Sequence, residues 1–332
     1  MTSAYTRLVE TGYQVLAIAT PLDAWSHFQG LQKSQWLPAA EVRELQWQKL
    51  QALLKHSYEN VPFYRRVWSE AGVDPRRFSS QDDMRDLPTV DKPALLIGQQ
   101  NNEFGLEERP DLEVVHTSGT TGPRFYVPFT LADFQKKYAN HLRQMYVSGW
   151  RLGVKSASLY YSGHPQFAGE YTGMGEQDSF VSIRKLALPL AHRRLSLTPY
   201  HEKVSGNDSF CEEWYQKLAR YRPQLLETME FNLPYLMDYI QRKQLAPLEI
   251  PIIYLLGTLT DRQRDRYRTF FNAEVFDRFS PHEMEGIAFA CQEHRGMHIA
   301  SDAFLLEFVD DDHQPVAAEE LGQILSLIHI SE

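Results

Sequence analysis

Only two of the 332 residues are cysteine, Cys211 and Cys291, so no disulfide framework is available to staple the chain, and a reducing cytoplasm suits it. Long hydrophobic runs are missing as well. The longest early apolar stretch, Val15 to Ala19, is far too short to span a bilayer and has no basic start of the kind a secretory signal carries. It reads as a buried helix or strand segment. Positive charge is in deficit: the formal net charge of -9 argues against a general nucleic-acid binder, which would show a basic face, and leaves room for a local basic pocket that takes an anionic ligand. Internal repeats, low-complexity tracts and Gly/Ser linkers are absent. So are two nucleotide fingerprints, the Walker A loop Gly-x4-Gly-Lys-Ser/Thr and the dinucleotide signature Gly-x-Gly-x-x-Gly.

What is present is an ordinary globular composition, 43% hydrophobic and 23% charged, in a chain long enough for one large domain or two modest ones. Val42, Leu45, Leu50, Leu53 and Leu54 mark an amphipathic helix from about Glu41 to His56, with Lys49 on its margin. Asn60-Val-Pro62 stops it, and Phe63 to Ala71 reads as a shorter helix ended by Gly72. Asp91 is placed to cap a helix over Pro93 to Gly98.

Beyond that point strands and helices alternate. Strands are expected at Glu113–His116, Phe125–Phe129, Ala157–Tyr161, Ile252–Leu256, Val275–Phe279, Ile287–Cys291, Phe304–Val309 and Gln323–Ile328. Helices are expected from Thr130 to Val147, Cys211 to Tyr221, Leu233 to Arg242 and Thr260 to Phe271. The alternation argues an α/β fold, mixed sheets flanked by helices, with binding sites at loops beyond the strand ends.

Three further clusters invite a chemical reading. Cys291-x2-His294-x3-His298 has spacing compatible with zinc, with Cys211, His282 or His313 to complete a tetrahedron; a buried cysteine with hydrogen-bonded histidines is the alternative. Arg262, Arg264, Arg266 and Arg268 alternate with Asp261 and Asp265 and read as a solvated helix face. Asp310-Asp-Asp312 reads as a turn between strands rather than a calcium loop.

The most informative segment is His116-Thr-Ser-Gly-Thr-Thr-Gly-Pro123, between two expected strands. Small residues let backbone N–H groups approach an anion, and the hydroxyls add donors. An ordinary hairpin loop has the same composition, so on its own the segment leaves both readings open.

Thr117-Ser-Gly-Thr-Thr-Gly122 resembles the phosphate-binding signature of the adenylate-forming acyl-CoA synthetase superfamily. More narrowly, the chain resembles the phenylacetate-CoA ligase-like branch, including its capsular-polysaccharide-biosynthesis relatives. The N-terminal segments Leu53-Leu-Lys-His-Ser-Tyr-Glu-Asn-Val-Pro-Phe-Tyr-Arg65, Ala71-Gly-Val-Asp-Pro75 and Leu87-Pro-Thr-Val-Asp-Lys92 are similar to that branch. Downstream, Val275-Phe-Asp-Arg-Phe-Ser-Pro-His-Glu283, Gly296-Met-His-Ile-Ala-Ser-Asp302 and Glu320-Leu-Gly-Gln-Ile324 follow in the family's order.

The resemblance implies the large N-terminal domain of the adenylate-forming fold, with the family's small C-terminal domain absent. Residues 1–110 would form a helical region and 111–325 the nucleotide- and acyl-binding α/β region of one domain, with 326–332 an atypical tail that reads as truncation. It implies binding of ATP through Thr117, Ser118, Gly119, Thr120, Thr121 and Gly122. The family's lysine after the second glycine is replaced by Pro123, and Arg124, one place later, would take over charge neutralisation, though its planar fork is not equivalent to an ammonium.

Glu283 matches the glutamate that helps hold the Mg²⁺ bridging ATP; taken alone it reads as a solvated carboxylate. Phe279 stands for the usual tyrosine beside the nucleotide and Ser280 for the usual glycine. Gly257 and Thr258 match a stretch beside adenine whose usual glutamate is missing. His164, in Tyr160-Tyr-Ser-Gly-His-Pro-Gln-Phe167, would line the carboxylate site or serve as a packed structural imidazole.

The implied activity is ATP-dependent activation of an aryl or other organic acid to an acyl-adenylate, then transfer to coenzyme A. Two alternatives stay open: a non-catalytic nucleotide- or partner-binding remnant, and a ligase passing the acyl group to an amine, alcohol or carrier protein. The expected partner is a small carboxylic acid, without nucleic acid or a membrane span, and a homodimer is left open.

Overall fold

The computed structural model describes residues 4–19, 24–105, 112–116, 125–159, 193–197, 208–281 and 284–326. Two compact units interleave along the chain, one from 1–25, 141–280 and 286–298, the other from 26–140, 281–285 and 299–332.

The second unit is mainly helical. It holds α2 (Ala24–Ser34), α3 (Ala39–Asn60), α4 (Pro62–Glu70) and α5 (Lys92–Gln100), while α1 (Ala4–Ala19) belongs to the first unit. Local sequence explains the boundaries. Pro62 at the start of α4 cannot continue α3, and its fixed φ suits a first helical turn. The Asp91 carboxylate accepts the Ala94 N–H at 2.9 Å, capping α5 as its position predicts. Leu50 and Leu54 of α3 bury against Phe63, Tyr64 and Trp68 of α4.

The hairpin β1 (Glu113–His116) and β2 (Tyr126–Phe129) pairs antiparallel, with His116 opposite Tyr126. It is followed by α6 (Leu131–Val147). Thr130 and Asp133 cap α6 reciprocally, the Thr130 hydroxyl accepting the Asp133 N–H at 3.2 Å and the Asp133 carboxylate the Thr130 N–H at 2.8 Å.

The first unit is built on a seven-stranded mixed sheet. Its strands are β3 (Ser156–Leu159), β4 (Arg194–Ser196), β5 (Leu225–Met229), β6 (Ile252–Leu256), β7 (Glu274–Phe279), β8 (Ala288–Ala290) and β9 (Met297–Ile299). They lie in the order β4-β3-β5-β6-β7-β8-β9. From β4 to β7 the neighbours are parallel, and β8 runs antiparallel to β7. Parallel strands need covering on both faces, which is why β5 to β7 are buried along nearly their whole length.

The two faces differ in chemistry. In-register residues of parallel strands share a face, so Ser158, Glu227, Tyr254 and Phe276 lie on one side, and Arg278, two places on, joins them. That side meets His141 and Gln144 of α6. The other side presents Ala157, Leu159, Leu226, Ile253, Leu255 and Val275 to three helices: α7 (Asp208–Tyr221), α8 (Asn232–Arg242) and α9 (Asp261–Phe271). Trp214, Leu236 and Phe271 are the bulk of this apolar layer, all fully buried.

Three strands, β4, β5 and β9, and the helix α2 go beyond the sequence expectation, while Val15 to Ala19, read as a helix or strand segment, is the last part of α1. The expectation for Arg262 to Arg268 needs one correction. Arg262, Arg266 and Arg268 are exposed, but Arg264 turns inward and pairs with Asp277 at 3.0 Å. Asp310 makes the expected turn: its carboxylate accepts the Asp312 and Gln314 N–H groups at 2.9 and 2.8 Å, ahead of the hairpin return from β10 (Leu306–Val309) to β11 (Gln323–Ser326). No helix among the described residues is long and apolar enough to cross a membrane.

Cys211 is buried in the apolar layer of α7, and burial pushes its thiol up to about 11. Brief maleimide treatment of the native chain at neutral pH is therefore expected to label Cys291 alone, with a second adduct appearing in urea by intact mass. Because the folded thiol titrates above the unfolded one, its contribution to stability is complete below pH 9 and is lost as pH rises through about 11. Two rapid native adducts would refute the burial argument.

Candidate functional site

In an open α/β sheet the ligand crevice lies outside the carboxyl ends of the parallel strands. Four sequence-predicted residues gather there, because β6 and β7 are neighbours running the same way. Gly257 and Thr258 follow β6; Phe279 ends β7 and Ser280 follows it.

Gly257 has φ +132, a conformation that L side chains rarely adopt, and its N–H donates to the Arg278 carbonyl at 3.1 Å. A Cβ there would also come within 3.3 Å of Glu230 Oε2. Glu230 thus brings a carboxylate to this edge. Motif spacing does not reveal it, because it sits in the turn after β5 rather than on β6. Thr258 is exposed, and Leu259 turns back into the core.

Phe279 is 39% exposed, an apolar ring standing at the strand end, where a planar base could stack. Ser280 has a different occupation. Its hydroxyl accepts the Gly286 N–H at 2.8 Å and is largely buried, so it holds backbone in place instead of offering an open contact.

The edge is braced from below. Asn232, fully buried at the start of α8, donates through Nδ2 to the Leu159 carbonyl at 2.9 Å and to Thr228 Oγ1 at 3.2 Å, tying the ends of β3 and β5 together. On the polar face Glu227 is 1% exposed and sits between Arg194 (2.8 Å), His141 Nε2 (3.3 Å) and Arg278 (3.6 Å). Arg278 Nη1 lies 2.7 Å from His141 Nδ1. A guanidinium only donates, so Nδ1 is the acceptor and the proton of the ring is on Nε2, facing Glu227. Tyr254 donates its hydroxyl to Gln144 Oε1 at 2.8 Å beside this group.

The zinc expectation fails on geometry. No group of three or more metal-capable residues is gathered among the described residues. His294 spends Nδ1 on Arg264 (3.3 Å) and Nε2 on Glu274 (3.2 Å), and His298 packs by its ring near Phe289. Cys291 Sγ accepts the Glu293 N–H at 3.4 Å. The three side chains thus turn to separate partners, His294 to Arg264 and Glu274, His298 to Phe289 and Cys291 to the Glu293 N–H.

Thr117, Ser118, Gly119, Thr120, Thr121, Gly122, Arg124, His164 and Glu283 lie outside the described residues. The first seven fall, in sequence, between the paired strands β1 and β2; Glu283 follows Ser280 by three positions.

No family model matches the chain. Among curated proteins it is similar to the phenylacetate-coenzyme A ligase of Thermus thermophilus, 28% identical over 299 residues, covering 87% of this chain and 62% of that protein. It is likewise similar to the phenylacetate-coenzyme A ligase of Pseudomonas putida, 27% identical over 302 residues with the same two coverages. The chain thus spans less than two thirds of the length of these relatives. Among solved structures, 2-hydroxyisobutyryl-CoA ligase in complex with 2-HIB-AMP and CoA superposes with a TM-score of 0.71 at 22% identity, over 87% of this chain and 60% of that one. The fold is that of the adenylate-forming acyl-CoA ligases.

Proposed function

We propose that this chain, with its adenylate-forming ligase fold, provides the nucleotide- and acid-binding part of an enzyme that activates an organic acid with ATP. The acid's carboxylate would attack the α-phosphorus, giving an acyl-adenylate and pyrophosphate; the thiol of coenzyme A would then attack the acyl carbonyl, forming the thioester and releasing AMP. The reading rests above all on one observation: similarity to phenylacetate-coenzyme A ligases runs over 87% of the chain. An aromatic acid is accordingly the first substrate class to test.

Within this reading the chain's own residues divide the work. Gly257, Thr258 and Phe279 form one wall for the base and ribose, and the backbone pins around them keep that wall rigid, which is how positioning lowers a barrier. Ser118, Thr120 and Thr121 would donate to the phosphates, with Gly119 and Gly122 allowing close backbone approach and Arg124 supplying charge. Glu283 would hold Mg²⁺, whose chemistry is to neutralise phosphate oxygens while keeping oxygen ligands. His164 would face the acid. A reducing compartment suits the two unpaired cysteines.

Calorimetric titration with ATP tests this directly. Binding is expected to tighten with Mg²⁺, and Glu283→Ala is expected to remove that gain, about tenfold or ~1.4 kcal/mol. Phenylacetate-dependent exchange of pyrophosphate into ATP would then report adenylation. Binding without exchange would favour the reading as a nucleotide-binding remnant, which Pro123 in the lysine position also favours. Absence of any ATP binding would sink both.

A further inference from the structure

Asp277 is an acid on the wrong side of the sheet. It lies between Val275 and Phe279 on the apolar face of β7, in register with Leu255, and only 3% of it is exposed. A buried carboxylate must be repaid by specific partners. Its two oxygens go to different places. Oδ1 takes Arg264 Nη2 at 3.0 Å, and Oδ2 takes the Leu259 backbone N–H at 3.2 Å.

The second contact matters for the edge described above. The turn from Gly257 to Thr260 is tied at its start by Gly257 N–H to the Arg278 carbonyl (3.1 Å), and near its end by Leu259 N–H to Asp277. Thr258 sits exposed between the two ties. Adjacent residues of one strand therefore hold both ends of the turn, Arg278 through backbone and Asp277 through side chain.

We propose that Asp277 is a positioning residue for nucleotide binding, its carboxylate fixing the Gly257–Thr258 backbone in the shape presented to the base. This rests on the reading of that edge as the nucleotide wall. Arg264 acts elsewhere. Besides Asp277 it donates to the Val275 carbonyl at 2.8 Å, joining α9 to β7. Its only bond to the turn is the first backbone bond of α9, Arg264 N–H to the Thr260 carbonyl at 3.0 Å, which a side-chain substitution leaves in place.

That difference supplies the test, made in the full chain with ATP as probe. Asp277→Ala is expected to raise the ATP Kd about tenfold and to speed amide exchange at Leu259. Asp277→Asn keeps a carbonyl oxygen for the Leu259 N–H and is expected to stay within about threefold of the parent. Arg264→Met is expected to lower the unfolding midpoint while leaving the Kd within about twofold. If Asp277→Ala and Arg264→Met weaken ATP binding alike, in proportion to lost stability, the role is merely structural and the proposal is overturned. It is overturned too if Leu259 exchange rises with no change in Kd. Should the parent chain bind no ATP, the nucleotide reading of the edge falls with it, whereas the exchange measurement still reports separately whether Asp277 holds the turn.

Discussion

Replacing Glu227 with alanine is expected to destabilise the sheet unit by about 3–5 kcal/mol, the cost of removing one partner from a buried ion pair. Glu227 is the carboxylate that Arg194, Arg278 and His141 converge on, and it is 1% exposed. Without it the guanidinium of Arg278, itself fully buried, keeps its charge while losing that counter-ion. The larger part of the expected loss is this stranded charge rather than the worth of the pair. Exchanging Glu227→Leu together with Arg278→Met should therefore recover the part of the loss due to Arg278, while Arg194, which reaches partly to water, keeps its share. Urea unfolding followed by far-ultraviolet circular dichroism measures both variants. A loss below about 1 kcal/mol for the single change would contradict the account.

The opposite face gives an effect of similar size by another route. Trp214 of α7 is fully buried among Leu218, Leu236 and the apolar side of the sheet. Trp214→Ala is expected to cost about 3–5 kcal/mol, the lost transfer energy of the ring plus the cavity it leaves. Trp214→Phe fills most of that space, so it should cost markedly less. Here rescue depends on volume alone. If Trp214→Phe proved as damaging as Trp214→Ala in the same urea experiment, cavity formation would not be the cause.

Elements with a strong local signal are legible in the amino-acid order itself. Asp91 and Thr260 announce their helices because a cap needs only residues within one turn. Strand β6 shows itself through the unbroken run Ile252-Ile-Tyr-Leu-Leu256. Strand β5 does not, although it is an interior strand flanked by β3 and β6, because Leu225-Leu-Glu-Thr-Met229 is interrupted by an acid. Glu227 makes sense in a buried strand only once Arg194, His141 and Arg278 are known to surround it, and they come from three distant parts of the chain. Strands β4 and β9 are three residues each and offer too little periodicity to detect. In α2, Gly30 sits mid-helix, where its low propensity hides the pattern.

For the site, the family resemblance names Gly257, Thr258, Phe279 and Ser280 as candidates but not that they adjoin, since register between parallel strands is written nowhere locally. The zinc spacing misleads for the converse reason: Arg264 and Glu274 bring hydrogen-bond partners to His294 from other elements.

The two faces of the sheet also set different rules for how this chain can change over generations. On the Leu226, Ile253 and Val275 side, one aliphatic residue can give way to another of like volume singly, each step leaving a folded molecule. On the Glu227 and Arg278 side the steps are coupled, because a lone change strands a charge and only a matched second change restores balance. Drift should therefore be gradual on one surface of the layer and abrupt on the other. Descendants that have lost the acid are expected to have lost its cations in the same stride.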